Sequence, residues 1–466
     1  MTTTPISQIL IKNAEVLLPE GLSRVEVLLD AGKISQLGPD LETASLQNLR
    51  VIDGAGLVLM PGVIDPQVHF REPGLEHKED LFSASCACAH GGVTSFLEMP
   101  NTNPLTITQA ALTDKLQRAA QKSLVNYGFF IGATAENLPD LRTANPTPGI
   151  KIFMGSMHGD LLVDQEAVLE PIFYRDLSDS NYENRLIAVH AEDQARIKAR
   201  LQEFAGRTDV AIHSLIQDNQ AALNATQLAL KLSKKYHRRL HILHMSTAEE
   251  AELLRTDKPA WVTAEVTPQH LFLNTDAYET IGTLAKMNPP LRSPQDQAVL
   301  WQALVDGVVD FIATDHAPHT LAEKGQDVID EPLAEHPATV FLEPANAPSG
   351  MPGVETALPL MLTQAKQGKC TIAQVSQWMS FNVAQAYKIP NKGLIATGYD
   401  ADVILVDMNT YKPVVREELF TKCGWSPFEG WNLTGWPVYT IVGGQVAYGN
   451  GKLNTDVRGN PLEFNI

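Results

Sequence analysis

Three polar side chains stand at alternate positions in Val63-Ile64-Asp65-Pro66-Gln67-Val68-His69-Phe70, a stretch otherwise apolar. On a strand, a period of two puts Asp65, Gln67 and His69 on one face and Val68 and Phe70 on the other. Such groups are costly to bury unless something binds them. Imidazole and carboxylate are common metal ligands, so a cation is one account of the pattern. A single histidine of this kind is more often a hydrogen-bonded core residue. The case for a metal therefore rests on what the remaining strands supply.

They supply the same chemistry repeatedly. Gly149-Ile150-Lys151-Ile152-Phe153-Met154 sets a lysine among apolar neighbours, where desolvation lowers its pKa. A neutral amine can take up carbon dioxide and become a carbamate, an anionic ligand able to bridge two ions. The plainer alternative is a lysine that snorkels to the rim. Ile187-Ala188-Val189-His190 and His241-Ile242-Leu243-His244 each end in histidine. Alternation separates His241 from His244; His244, at the carboxyl end, is the expected ligand and His241 a structural residue. Ala313-Thr314-Asp315 ends in a carboxylate that can hold a metal and move a proton. His77, His90, His158, His213, His237 and His336 fall in helical or loop contexts and read as surface or structural residues.

The elements that must position these groups are eight apolar runs, near 61–69, 93–98, 127–132, 150–154, 186–190, 240–244, 261–266 and 310–314. Helical stretches such as Gln109–Ser123, Leu223–Tyr236 and Gln295–Val305 separate them. Eight strands in βα order predict an α/β fold with a closed (β/α)8 barrel, whose chemistry collects at the carboxyl ends of the strands. An open sheet is less apt, because no Gly-rich nucleotide loop follows an early strand. Short strands with turns at Ala31-Gly32 and Asp53-Gly54 precede the barrel, and β texture returns from Gly393. Each set is too short to bury a core alone, so the two ends are expected to pair into one small β-domain. The expected division is residues 1–60, a barrel over 61–392, and 393–466. Residues 316–353, rich in Pro, Gly and acidic groups, read as a long, partly mobile loop.

Bulk properties narrow the function. A formal net charge of −18 over 466 residues leaves no basic stripe for nucleic acid or an anionic membrane. An anionic ligand must then be held by a few local cations or a metal. Four scattered cysteines, Cys86, Cys88, Cys370 and Cys423, make neither a disulfide framework nor a Cys-type zinc site. Met1 to Leu10 lacks a signal-peptide pattern, and no apolar run approaches the ~20 residues of a membrane helix. The expectation is a cytoplasmic protein.

With these residues in place, the sequence resembles the cyclic amidohydrolases, and most closely the dihydroorotases, over nearly its whole length. The resemblance implies a barrel with a small β-sandwich built from both termini. It implies Zn2+, one or two ions per chain, held by His69, Lys151 as a bridging carboxylated lysine, His190, His244 and Asp315. His69-Phe70-Arg71-Glu72-Pro73-Gly74 and Met99-Pro100-Asn101-Thr102-Asn103-Pro104 look like dihydroorotase signatures, with Arg71 and Asn103 gripping a substrate carboxylate. A guanidinium fork suits that task. Asn288 and His319 resemble further substrate contacts. The implied reaction is reversible interconversion of L-dihydroorotate and N-carbamoyl-L-aspartate in pyrimidine synthesis, with Asp315 taking and returning the proton. One departure stands out: the family's His-x-His on the first strand is here Gln67-Val68-His69. An amide oxygen is a weaker zinc ligand, which leaves one metal or two open. The rivals are a sister cyclic amidase acting on hydantoins, dihydropyrimidines or allantoin, and a non-catalytic subunit scaffolding aspartate transcarbamoylase. A homodimer or homotetramer is expected from exposed sandwich edges and family habit.

Overall fold

The computed structural model describes residues 8–42, 48–157, 159–174, 180–326 and 344–465. Eight short parallel strands form its centre: β1 (Val63–Val68), β2 (Val93–Glu98), β3 (Asn126–Phe129, continued by Ile131–Gly132), β4 (Gly149–Phe153), β5 (Leu186–His190), β6 (Leu240–Ile242), β7 (Val262–Val266) and β8 (Phe311–Ile312). Neighbours pair in parallel from β1 to β3, and again from the end of β3 through to β8. The ring closes where Val68 bridges His316 and the His69 amide donates to the His316 carbonyl at 2.7 Å. This is the (β/α)8 barrel expected from the eight apolar runs.

Both faces of these strands are buried, which is why they read as continuous apolar runs rather than alternating ones. Helices cover the outside, and their starts are marked in the sequence. Asp80 caps Leu81–Gly91, Thr247 with Glu250 forms a capping box for Ala248–Asp257, and Ser293 with Asp296 does so for Pro294–Val305. The helix holding Cys86 and Cys88 buries both thiols.

Strands from the two chain ends share one seven-stranded sheet, in which Val403–Asp407 runs antiparallel to Val58–Pro61. A four-stranded sheet of Ile9–Lys12, Glu26–Asp30, Lys33–Gly38 and Arg50–Asp53 faces the same core. Ile9, Ile11, Val27, Leu59, Val403, Leu405 and Ile441 fill it, drawing on both ends of the chain. A hairpin of Glu15–Leu18 with Gly21–Ser23 extends the edge of the seven-stranded sheet.

Two differences from the sequence reading bear on the site. β6 ends at Ile242, so His244 lies beyond the strand with φ of 35°. Strict alternation therefore does not reach it, and His241 and His244 both turn toward Glu265, through a side chain and a backbone amide respectively. The expected loop over 316–353 is partly built: the Thr320 hydroxyl and Glu323 carboxylate close a turn, and Pro344–Asn346 is a short 3-10 helix. The rest of that loop, with His336, and also His158, lies outside the described residues. Among the described residues no helix is long and apolar enough to cross a membrane.

Candidate active site

The carboxyl ends of the strands surround a cavity of about 120 Å³ lined by Gln67, His69, Arg71, Asn101, Lys151, His190, His244, Asn288 and Asp315, among others. Most arrive because they lie in or just beyond the carboxyl ends of strands, whereas Asn288 comes from the segment between Gly282–Ala285 and Pro294–Val305. Three of them leave the strand in a left-handed conformation, with φ of 68° at Arg71, 35° at His244 and 45° at Asp315. Such backbone persists in non-glycine residues only where the surrounding structure enforces it, and it gathers at functional sites.

The donors form two pairs on opposite sides of the ring. From β1 and β8, His69 Nε2 lies 3.1 Å from Asp315 Oδ1. The same oxygen accepts a hydrogen bond from Gln67 Nε2 at 3.1 Å. From β5 and β6, His190 Nδ1 lies 2.9 Å from His244 Nε2. Lys151, on β4, is fully buried and its Nζ has no hydrogen-bond partner among the described residues. Among the described residues no three His, Cys, Asp or Glu side chains converge on one point.

The partners behind His69 and His190 fix which nitrogen of each faces the cavity, while His244 Nδ1 has no partner among the described residues. His69 Nδ1 donates to the Asn101 Oδ1 at 2.7 Å, which leaves the Nε2 lone pair opposite a carboxylate oxygen. His190 Nε2 donates to Glu192 Oε2 at 2.7 Å, which turns its Nδ1 lone pair inward. Electron-rich atoms held face to face need a proton or a metal ion between them. Burial lowers the His69 pKa, against the pull of Asp315, so a proton there is held weakly. Burial also holds His244 far down, helped by the charges of His190 and Lys151. Neutral imidazoles with one nitrogen tied to a carboxylate or amide oxygen are the form in which histidine binds metal. The residues present therefore fit a divalent cation.

Burial pushes the Lys151 amine down to about 7, opposed by the charges of Asp315 and Glu265. The snorkelling alternative fails here, because the side chain does not reach water. One layer below, Asp65 accepts from the Thr314 amide and hydroxyl at 3.1 and 2.6 Å, and burial raises its pKa to about 7. It braces the start of the β8 turn and does not line the cavity.

The expected substrate contacts divide. Arg71 lines the cavity, nearly buried; its Nε donates to the Pro318 carbonyl at 3.1 Å and its Nη2 lies 3.3 Å from His319 Nε2. Among the described residues no carboxylate comes within ion-pair distance of it. His319 sits behind Arg71, between Lys78 and the Ser349 carbonyl, and burial lowers its pKa to about 3. Asn288 lines the cavity. Asn103 does not: it is exposed, in the loop where Gly74 passes close to its backbone, and Asn101 occupies the cavity wall instead. His213, read from sequence as surface or structural, is buried against Asn288 Oδ1 at 2.8 Å. No periodicity marks it. Its one signal is a histidine closing an apolar turn, Val210-Ala211-Ile212-His213.

Known proteins agree with this architecture. A model of the amidohydrolase family matches residues 58–447. A dihydroorotase from Methanosarcina mazei is 34% identical over 466 residues, spanning 97% of this chain and 97% of that protein. One from Bacillus subtilis is 32% identical, spanning 95% and 99%. The solved structure of an L-hydantoinase (dihydropyrimidinase) from Arthrobacter aurescens has a TM-score of 0.87 at 29% identity, covering 96% of this chain and 97% of that one. The chain belongs to the amidohydrolase family, standing with the dihydroorotases among its hydrolases of cyclic amides.

Proposed function

We propose that the protein is a zinc-dependent dihydroorotase, opening the ring of L-dihydroorotate to N-carbamoyl-L-aspartate and closing it again. The observation that carries this reading is Arg71: a buried guanidinium on the cavity wall, without a carboxylate partner among the described residues, beside a set of metal donors. A buried cation in that position favours an anionic substrate, and the ring carboxylate of dihydroorotate supplies the charge. Dihydroorotases of similar sequence support the same choice.

His190, His244 and Lys151 would hold one zinc ion, with Lys151 converted to a carbamate. Its amine, held near neutrality, attacks carbon dioxide, loses a proton and becomes an oxygen-bearing anion. His69 and Asp315 would hold a second ion more weakly, because Gln67 offers an amide in place of an imidazole. When bound, zinc supplies Lewis acidity, lowering the pKa of water and polarising a carbonyl. Asp315 manages the proton. Its Oδ1 is engaged by His69 and Gln67, so Oδ2 is the oxygen available to accept a proton from attacking water. It then returns that proton to the departing ring nitrogen. Arg71 orients the carboxylate, with His319 behind it fixing the direction of the fork.

A spectrophotometric assay on dihydroorotate, dihydrouracil, hydantoin and allantoin tests the reading. Dihydroorotate should be preferred by at least about tenfold in kcat/KM, since loss of one charge-assisted contact costs roughly 1.5–3 kcal/mol. Equal or faster turnover of a ring without the carboxylate would reject it in favour of a hydantoinase-type enzyme. Turnover of none of them, with no zinc in the purified protein, would favour the scaffold.

A further inference from the structure

Between β5 and the long helix Asn219–Tyr236 lies a short helix, Ile212–Ile216, which carries His213 against a residue of the cavity wall. His213 Nε2 is 2.9 Å from the Met287 carbonyl and 2.8 Å from Asn288 Oδ1. A backbone carbonyl only accepts, so Nε2 carries the proton. One turn further on, the buried Gln217 lies among Glu192, Ser156 and Asn288. With its amide nitrogen turned inward, it reaches Asn288 Oδ1 at 3.0 Å, Glu192 Oε1 at 3.2 Å and Ser156 Oγ at 3.3 Å. That orientation is assigned from the network, since the opposite one sets an oxygen against three acceptors.

The result is a continuous polar chain. His190 donates to Glu192, Ser156 Oγ donates to the same carboxylate at 2.5 Å, and Gln217 joins Glu192 to Asn288, which His213 holds from the other side. Asn288 Oδ1 then accepts two hydrogen bonds from within the protein. Its Nδ2 has no protein partner among the described residues and belongs to a side chain on the cavity wall. Burial pushes the His213 pKa down to about 4, so it remains a neutral donor with its one proton on Nε2.

We propose that His213 and Gln217 are positioning residues that lock the Asn288 amide with its nitrogen toward the cavity, so that the site takes a cyclic amide only with a carbonyl oxygen facing Asn288. This rests on reading the cavity as a cyclic-amide site, and it adds what fixes the ring's orientation there. A ring turned to present N–H to Asn288 would set donor against donor, a mismatch that discriminates strongly in a buried site.

A double-mutant cycle on His213 and Asn288 tests it, using the purified full-length enzyme and whichever cyclic amide the wild type turns over. An enzyme that opens hydantoin rather than dihydroorotate would refute the proposed substrate while leaving the clamp measurable. His213→Phe should raise KM about tenfold, with kcat changed less than about threefold and zinc content unchanged. In an Asn288→Ala background the same replacement should change KM less than about twofold. His213→Gln, which keeps a donor, should recover most of the loss. Equal KM increments in both backgrounds, or a glutamine as poor as phenylalanine, would overturn the proposal. Should His213→Phe fail to fold, Asn288→Asp serves instead. His213 and Gln217 would satisfy one carboxylate oxygen, and the other would face the cavity as an acceptor. KM should then rise above that of Asn288→Ala, and a KM near wild type would refute the lock.

Discussion

Asp315 lines the cavity with one oxygen engaged and the other without a hydrogen-bond partner among the described residues, and the two conditions do different work. Oδ1, fixed by His69 and Gln67, sets the orientation of the carboxylate, while Oδ2 is placed to move a proton. Asp315→Asn keeps the shape and can still accept at its oxygen, but it cannot take up a proton. We expect kcat to fall by about 10²–10⁴-fold, the range for a general acid–base group, with Tm little changed. Substantial residual turnover, with an unaltered melting curve, would remove Asp315 from that role. Gln67 makes a second prediction at the same scale. Its Nε2 donates to Asp315 and its Oε1 has no partner among the described residues, so it contributes no strong ligand. Gln67→His would add an imidazole facing Asp315. Zinc per chain, measured by elemental analysis after removal of loosely bound metal, should rise from about one toward about two. An unchanged ratio would mean that the first strand does not limit metal binding.

At the scale of the element, the barrel is legible because each strand is a short apolar run buried on both faces and bounded by capped helices. His190 and Asp315 could be picked out because they end such runs, where the barrel gathers its side chains, and Lys151 because it is a lone charge inside one. Alternation loses its force just beyond the strand ends. His244 escapes alternation because β6 stops two residues earlier and the backbone turns left-handed. Asn101 and Asn103 share one loop with no period to distinguish them; only the tertiary contact with His69 selects Asn101. His213 meets residues 74 and 75 positions away, a contact that nothing local encodes. Close approach of neighbouring strand ends is equally hidden, and Gly155 shows it. A Cβ there would lie 2.2 Å from the Glu192 carbonyl, at the junction that carries both Lys151 and His190. Gly155→Ala must push the ends of β4 and β5 apart. A loss of about 1–3 kcal/mol in denaturant unfolding is expected, as for other overpacked sites, together with reduced zinc content. Full stability and full zinc would mean that this junction gives way freely.

For the whole molecule, folding buries ionisable groups of both signs, and their effects on pH stability oppose one another. His213 and His270 are pushed by burial to about 4, and His241 to about 3. Asp65, raised to about 7, works the other way. The overall pH profile is a sum of such terms, so a comparison that isolates one group is more telling. His270 suits this: it is buried, with Nδ1 on the Thr267 hydroxyl and Nε2 between the Pro289 and Pro290 carbonyls, and it anchors the segment after Asn288 without lining the cavity. Its folded pKa lies below the ordinary 6.5, so below pH 6.5 the unfolded chain binds a proton that the folded chain refuses. The stability His270 confers is thus complete above pH 6.5 and is lost as pH falls toward 4. His270→Gln keeps a donor for the carbonyls and removes the titration. The stability advantage of wild type over this variant, measured by urea unfolding of metal-loaded protein, should shrink on acidification by up to about 1.4 kcal/mol per pH unit. Over two units that is a sizeable share of the stability of an ordinary domain. A difference that stays flat between pH 6.5 and 4.5 would show that His270 takes up its proton without unfolding the chain.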